Sequence, residues 1–297
     1  MKAFFLGLLL SVGCFTASAQ DLEPRAYSNL PKGMNVIALA YALANGNIIS
    51  DPGAPISGLK ITTNNLGAAY VHTFGLMNKL ARVQVIVPFV AMTGSLKVYG
   101  QDTSGARTGF GDSRIRLGIN LLGSPALERT EYRQWQEKTI LGVSLVTQVP
   151  TGLYYKEKLI NIGKNRWGFK PEVGVSRRFK HFFTEGFVGV WFYTDNAHYL
   201  DSSDLKQQPV FSIQAHGGYY FKKQIWVGVN ANYFNGGKTS VNGNDTGDLL
   251  DTWRVGAIGS VPFLKHHSLK IQFHIGAFTN SGYNYKFGSL TYQYIFF

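Results

Sequence analysis

The stretch GDSRIRLGINLLG, residues 111–123, decides the fold. Asp112, Arg114, Arg116, Gly118 and Asn120 fall on one face. Ser113, Ile115, Leu117, Ile119 and Leu121 fall on the other. Strict alternation means an extended strand, because successive side chains point to opposite faces. In a water-soluble sheet the apolar face is buried and the charges meet water. The rest of the chain decides whether that default applies.

The same alternation recurs along the sequence. In SLKIQFHIGAF, Leu269, Ile271, Phe273, Ile275 and Ala277 oppose Lys270, Gln272, His274 and Gly276. QIWVGVNANYF, TILGVSLVTQV and WGFKPEVGVSRRF behave alike. Such segments number about twelve, each of roughly ten residues, the length that crosses a bilayer as a tilted strand. The pattern predicts strands near 34–43, 60–74, 80–98, 110–122, 138–149, 166–179, 182–194, 208–221, 224–235, 251–263, 267–278 and 285–297.

The connections alternate in length. Gly75–Lys79, Lys180–His181, Lys222–Lys223 and Leu264–His266 are tight. Ala44–Ser57, Tyr99–Gly109, Pro150–Asn165, Asp195–Gln207 and Gly236–Asp248 are long and polar. Gly123–Glu137 is one long connection on the short side. Outer-membrane barrels have short periplasmic turns and long external loops.

Composition agrees. Charged residues are only 15% of the 297, aromatics are 14%, and glycines number 34. Mean hydropathy is close to zero, and beyond residue 19 no run of about 18 apolar residues marks a transmembrane helix. The N-terminus reads MKAFFLGLLLSVGCFTASAQ, with a basic Lys2, an apolar run and an Ala17-Ser18-Ala19 cleavage site. This predicts a signal peptide over 1–19 and a single barrel domain over 20–297. A competing lipidation site at Cys14 lacks the usual Leu three residues before it, where Ser11 stands. Loss of Lys2 takes the net charge from +12 to +11. Export argues against nucleic acid as the partner of that charge. Lipid outside and a polar lumen inside explain exported, evenly spaced amphipathic strands. The expected fold is therefore an all-β, antiparallel up-and-down transmembrane barrel of about twelve strands. Its place is the outer membrane of a Gram-negative bacterium. A periplasmic sandwich or lipocalin-like barrel is the soluble alternative.

Several pieces resemble a known family. They are Gly111-Asp112-Ser113-Arg114-Ile115-Arg116, Val149-Pro150-Thr151-Gly152, and Asn161-Ile162-Gly163-Lys164-Asn165-Arg166-Trp167 with Pro171. Asn29-Leu30-Pro31-x-Gly33-Met34-Asn35 joins them. Together they resemble the bacterial family of MetA-pathway of phenol degradation transporters. The resemblance implies an outer-membrane barrel that moves small, often aromatic or hydrophobic, molecules.

If the apolar faces meet lipid, the lumen receives Arg82, Asp112, Arg114, Arg116, Lys170, Glu172, Arg178, His216, Arg254, Lys270 and His274. Two readings compete. Rings of Arg and Lys would favour anionic solutes. Alternatively Asp112 and Glu172 pair with nearby Arg in a plugged, structural network. The expected function is passive passage of small, aromatic or anionic, solutes. The alternatives are a non-conducting surface protein whose loops bind a partner, and a barrel lipase. A lipase needs a lipid-facing Ser with a His base, whereas Ser144 and Ser176 fall on the lumen face. No catalytic residue, cofactor or metal site is expected. The loop carboxylates Asp51, Asp201, Asp204, Asp245, Asp248 and Asp251 match no calcium-loop pattern. The expected partners are membrane lipid, the solute, and the barrel-assembly machinery through the C-terminal Phe297.

Overall fold

The computed structural model describes residues 24–49, 56–98, 100–158, 160–221 and 224–297. The predicted signal peptide, Cys14, Asp51 and the Lys222–Lys223 turn lie outside the described residues.

Among the described residues, sixteen strands and one helical turn follow in order. They are β1 (Asn35–Ile49), β2 (Ile56–Leu76), β3 (Lys79–Val98), β4 (Gln101–Phe110), β5 (Ser113–Leu122), α1 (Arg129–Tyr132), β6 (Ile140–Val149), β7 (Gly168–Phe179) and β8 (Phe182–Tyr193). Then come β9 (Asn196–Tyr199), β10 (Ser203–Gln207), β11 (Val210–Tyr220), β12 (Trp226–Gly236), β13 (Thr239–Val241), β14 (Asn244–Asp245), β15 (Leu250–Leu264) and β16 (His267–Phe296).

A 12-stranded antiparallel sheet closes on itself. Each strand pairs with the next around the ring, and β16 closes it by pairing with both β15 and β1. Its part up to Ser281 runs along β15, and its part from Gly282 runs along β1. The His274 ring stacks on Phe287, 5.3 Å between centroids, so the two halves of β16 are neighbouring staves. Conversely β4 and β5 both pair with β3 and form one stave, broken at Gly111-Asp112. Closure gives each described stave of the wall a partner on both sides, which a sheet with open edges in lipid cannot do.

The two faces sort by polarity. On β7 burial alternates residue by residue, with Lys170, Glu172 and Ser176 inside and Phe169, Val173 and Val175 outside. Leu117 is 53% exposed beside a buried Arg116. An apolar exterior around a polar interior inverts the soluble arrangement and suits a barrel in lipid.

Several details differ from expectation. The stretch 101–110 is strand rather than loop, because β3 and β4 continue their pairing beyond the wall. A register shift between Asn120 and Leu122 changes the phase of β5, so Leu122, 61% exposed, takes the outward position expected of Leu121. Outside the barrel, β9, β10, β13 and β14 form a separate four-stranded sheet from two external loops.

Candidate functional site

The interior is organised around Glu172, which is 3% exposed. It lies on β7, where the alternation forces it inward. Its Oε2 accepts from Lys170 Nζ at 2.7 Å, and its Oε1 pairs with the Arg116 guanidinium from β5. A carboxylate so deep stays charged only with such partners.

A third group completes the cluster from an element that is not in the wall. Residues 24–34 precede β1 and run inside the barrel. Tyr27, 1% exposed, donates from its hydroxyl to Glu172 Oε1 at 3.1 Å and lies 2.9 Å from Ser144 Oγ. The Arg116 guanidinium sits over the Tyr27 ring at 5.4 Å. The ring meets Phe187 edge-on at 5.0 Å. It fits because β6 and β7 offer Gly142 and Gly174, where a Cβ would run into the ring.

The rest of this strap is equally tied. The Arg25 backbone N–H donates to Glu185 Oε2 at 2.6 Å, and its guanidinium donates to Glu137 at 3.1 Å. Arg25 also lies over the Phe183 ring at 5.0 Å. Arg82 Nη2 donates to the Ser28 carbonyl at 2.7 Å. Thr73 Oγ1 donates to the Pro31 carbonyl at 2.7 Å. Ser124 bonds to Asn29, and the Lys32 N–H donates to the Leu127 carbonyl at 2.9 Å. The long connection after β5 thus holds the strap from the short-turn end. The Asn29-Leu30-Pro31-x-Gly33 motif belongs to this strap, with Gly33 at φ +76° where the chain turns into β1.

The other inward residues extend around the wall, and the His216 ring packs on Phe187 at 5.0 Å. His216 Nδ1 lies 2.8 Å from Asn230 Oδ1, and Asn230 Nδ2 lies 3.5 Å from His274 Nε2. Arg254 stands over Tyr285 at 4.2 Å and Phe234 at 5.2 Å. Lys270 is half-buried, in register with Ser260 of β15. Arg178 lies at the short-turn end, over the Tyr220 ring at 4.2 Å. Arg114 lies towards the external end, over Trp191 at 5.8 Å. Trp191 stacks on Tyr193 at 5.8 Å, with Lys164 and Arg166 over the Tyr193 ring.

Asp112 does something else. Its Oδ1 accepts from the Gly152 N–H at 3.0 Å. Its Oδ2 accepts from the Lys164 N–H and from Gln148 Nε2, both at 2.9 Å. One carboxylate therefore joins three sequence motifs by pinning the loop after β6 to the break between β4 and β5. Burial raises its pKa above the ordinary 3.8, and these bonds oppose the rise. The expected pairing of Asp112 with an Arg gives way to backbone and amide donors, because the loop after β6 covers it.

Ser144 bonds Tyr27, and Ser176 donates to Glu185 at 2.8 Å, both buried inside the wall. Neither occupies the lipid face that a barrel lipase requires. The external carboxylates are taken by neighbours: Asp201 by Lys156, Asp204 by Lys206, Asp245 by Lys238, Asp248 by Thr239 and Asp251 by Tyr233. Among the described residues no three His, Cys, Asp or Glu side chains gather as a metal site.

The motifs brought together by Asp112 lie within a longer match. The family of MetA-pathway of phenol degradation proteins matches residues 44–294. The chain belongs to this family. No curated protein matches the sequence. Among solved structures, an outer membrane channel of Pseudomonas putida F1 is similar, with a TM-score of 0.80 and 19% identity, over 93% of this chain and 100% of that one. The transport unit of the Escherichia coli autotransporter AIDA-I follows at TM-score 0.55 and 11% identity, over 93% of each chain. At these identities the likeness concerns the fold. This MetA-pathway family member folds as a 12-stranded β-barrel with its apolar face outward.

Proposed function

We propose that this barrel is a passive, gradient-driven channel for small aromatic or anionic solutes, with its lumen closed by the strap. One observation carries the reading: Tyr27, on a strap outside the wall, occupies the interior between Arg116 and Glu172. A strap held by hydrogen bonds and ring contacts can leave without breaking the sheet. The interior it would expose carries Arg82, Arg116 and Lys170 beside Phe187 and Trp191. Cations there favour anions, and the rings suit an aromatic body. The name of the Pseudomonas putida relative, an outer membrane channel, supports passage, and the family's name points to phenolic compounds.

The test is conductance in a planar bilayer under a salt gradient, for the full chain and for Tyr27→Gly. The reading expects small or flickering current from the first and steady anion-preferring current from the second. Folded barrels that carry no current in either form would defeat it.

A second reading, a non-conducting surface protein, draws on the external sheet of β9, β10, β13 and β14. An ordered sheet there offers a partner a fixed surface, and loss of that partner on cutting β13–β14 would favour it. In both readings Phe297, just beyond β16 and 49% exposed, serves the assembly machinery.

A further inference from the structure

The lipid-facing wall is not uniformly filled. Across β8, β11, β12, β15 and β16 the outward positions include Thr184, Gly217, Ala257 and Gly259, flanked by Val227 and Phe273. They leave an apolar depression of about 750 Å³. A second, of about 680 Å³, continues along the wall past Ala215, Ala231 and Val255. The two share Gly217, Val229 and Phe273, so they form one groove running from the short-turn end towards the middle of the wall.

The foot of the groove is aromatic and basic. Tyr219 lines it, with Phe182 edge-on at 5.0 Å, Phe221 at 4.9 Å and the His181 ring stacked at 5.6 Å. Aromatic rings at this level mark the membrane–water boundary. Lys180 is exposed at the adjoining β7–β8 turn. Lys265 is exposed at the β15–β16 turn on the far side of the groove. Arg177 is the decisive residue. It is exposed on the outward face of β7, over the Phe179 ring at 4.7 Å, and in register with Thr184 of the groove. On the lipid face a guanidinium is tolerated at the interface rather than at the midplane, and there its fork is placed to meet an anionic headgroup.

We propose that this groove binds an anionic glycerophospholipid of the periplasmic leaflet. An acyl chain lies along Gly217, Ala257 and Gly259, and the phosphate is held between Arg177 and Lys180, with Lys265 adding charge from the other side. Charge complementarity selects a lipid over a second copy of the chain, since a copy would bring the same cations to the same edge. Arg is suited to the phosphate because its planar fork donates two parallel hydrogen bonds. The inference is independent of what passes through the lumen.

The test is native mass spectrometry of the folded full-length protein released from detergent containing equal phosphatidylglycerol and phosphatidylcholine. One retained phosphatidylglycerol is expected, at least tenfold over phosphatidylcholine. Arg177→Ser with Lys180→Ser should abolish that preference. Gly217→Leu with Gly259→Leu should fill the floor and abolish retention. Both glycines face open space where a Cβ makes only ordinary contacts, so this variant should still fold, as heat-modifiable migration checks. Equal retention of the two lipids, or undiminished phosphatidylglycerol retention in either folded variant, overturns the proposal. So does a dimer that the Leu variant dissolves.

Discussion

The Tyr27 hydroxyl donates to the Glu172 carboxylate across 3.1 Å, although 145 residues separate the two. One belongs to the wall and the other to a strap inside it. Their bond helps hold the strap against the wall, and it can be weakened from either side.

Weakening it from the wall leaves the strap's own sequence intact. Gly174→Ala should place a methyl group in the Tyr27 ring and force the strap out. Hydrogen exchange over residues 24–34 should accelerate at least tenfold while strand amides stay protected. Unchanged exchange in a folded barrel would mean that the strap is not seated by this contact.

Weakening it from the strap should be milder. Tyr27→Phe keeps the ring but deletes the hydroxyl that serves Glu172 and Ser144. A buried hydrogen bond to a charged group contributes about 1.5–3 kcal/mol. Strap exchange should rise accordingly, with less effect on current than Tyr27→Gly.

Glu172→Ala removes the carboxylate that both Arg116 and Lys170 reach. Breaking a buried ion pair costs about 3–5 kcal/mol, so the heat-modifiable transition should shift to lower temperature. Any current should become more anion-selective, because two cations lose their counter-charge. Reversal potentials across a salt gradient measure this.

The exterior can be tested by charge. Leu117→Arg and Ile271→Arg place a cation on the lipid face, at a cost of roughly 2–4 kcal/mol near the midplane. Assembly should drop in both, while Arg116→Ser, one residue away but inside, should assemble and shift ion selectivity. Equal assembly of all three would contradict this inward and outward facing.

Asp112 gives a pH dependence. Its pKa is raised on folding, so the folded chain holds that proton more tightly than the unfolded chain does. The group's contribution to stability is therefore full below about pH 3.8, the unfolded value, and is lost as pH rises through the folded one. Asp112→Asn should flatten that part of the profile of thermal midpoint against pH. Asp112→Ala should expose the 150–167 loop to proteolysis, because the Gly152 and Lys164 N–H groups lose their acceptor.

The wall can be read from the chain alone. Period-two alternation places Leu117 and Val173 opposite Arg116 and Glu172 wherever the strand is extended, so facing follows from local geometry. Strand number and the family motifs were legible for the same reason: each is contiguous in the chain. What fills the wall emerges from the folded molecule instead. Nothing near Tyr27 in sequence announces that its ring will lie against Gly142 and Gly174, or that Arg25 will meet Glu137 and Glu185. The motifs around Asp112 were visible one at a time, but their common purpose depends on a loop folding back over a break between two strands. Such contacts depend on ring closure bringing distant residues to a common interior, and no periodicity in the chain encodes the distance across a lumen.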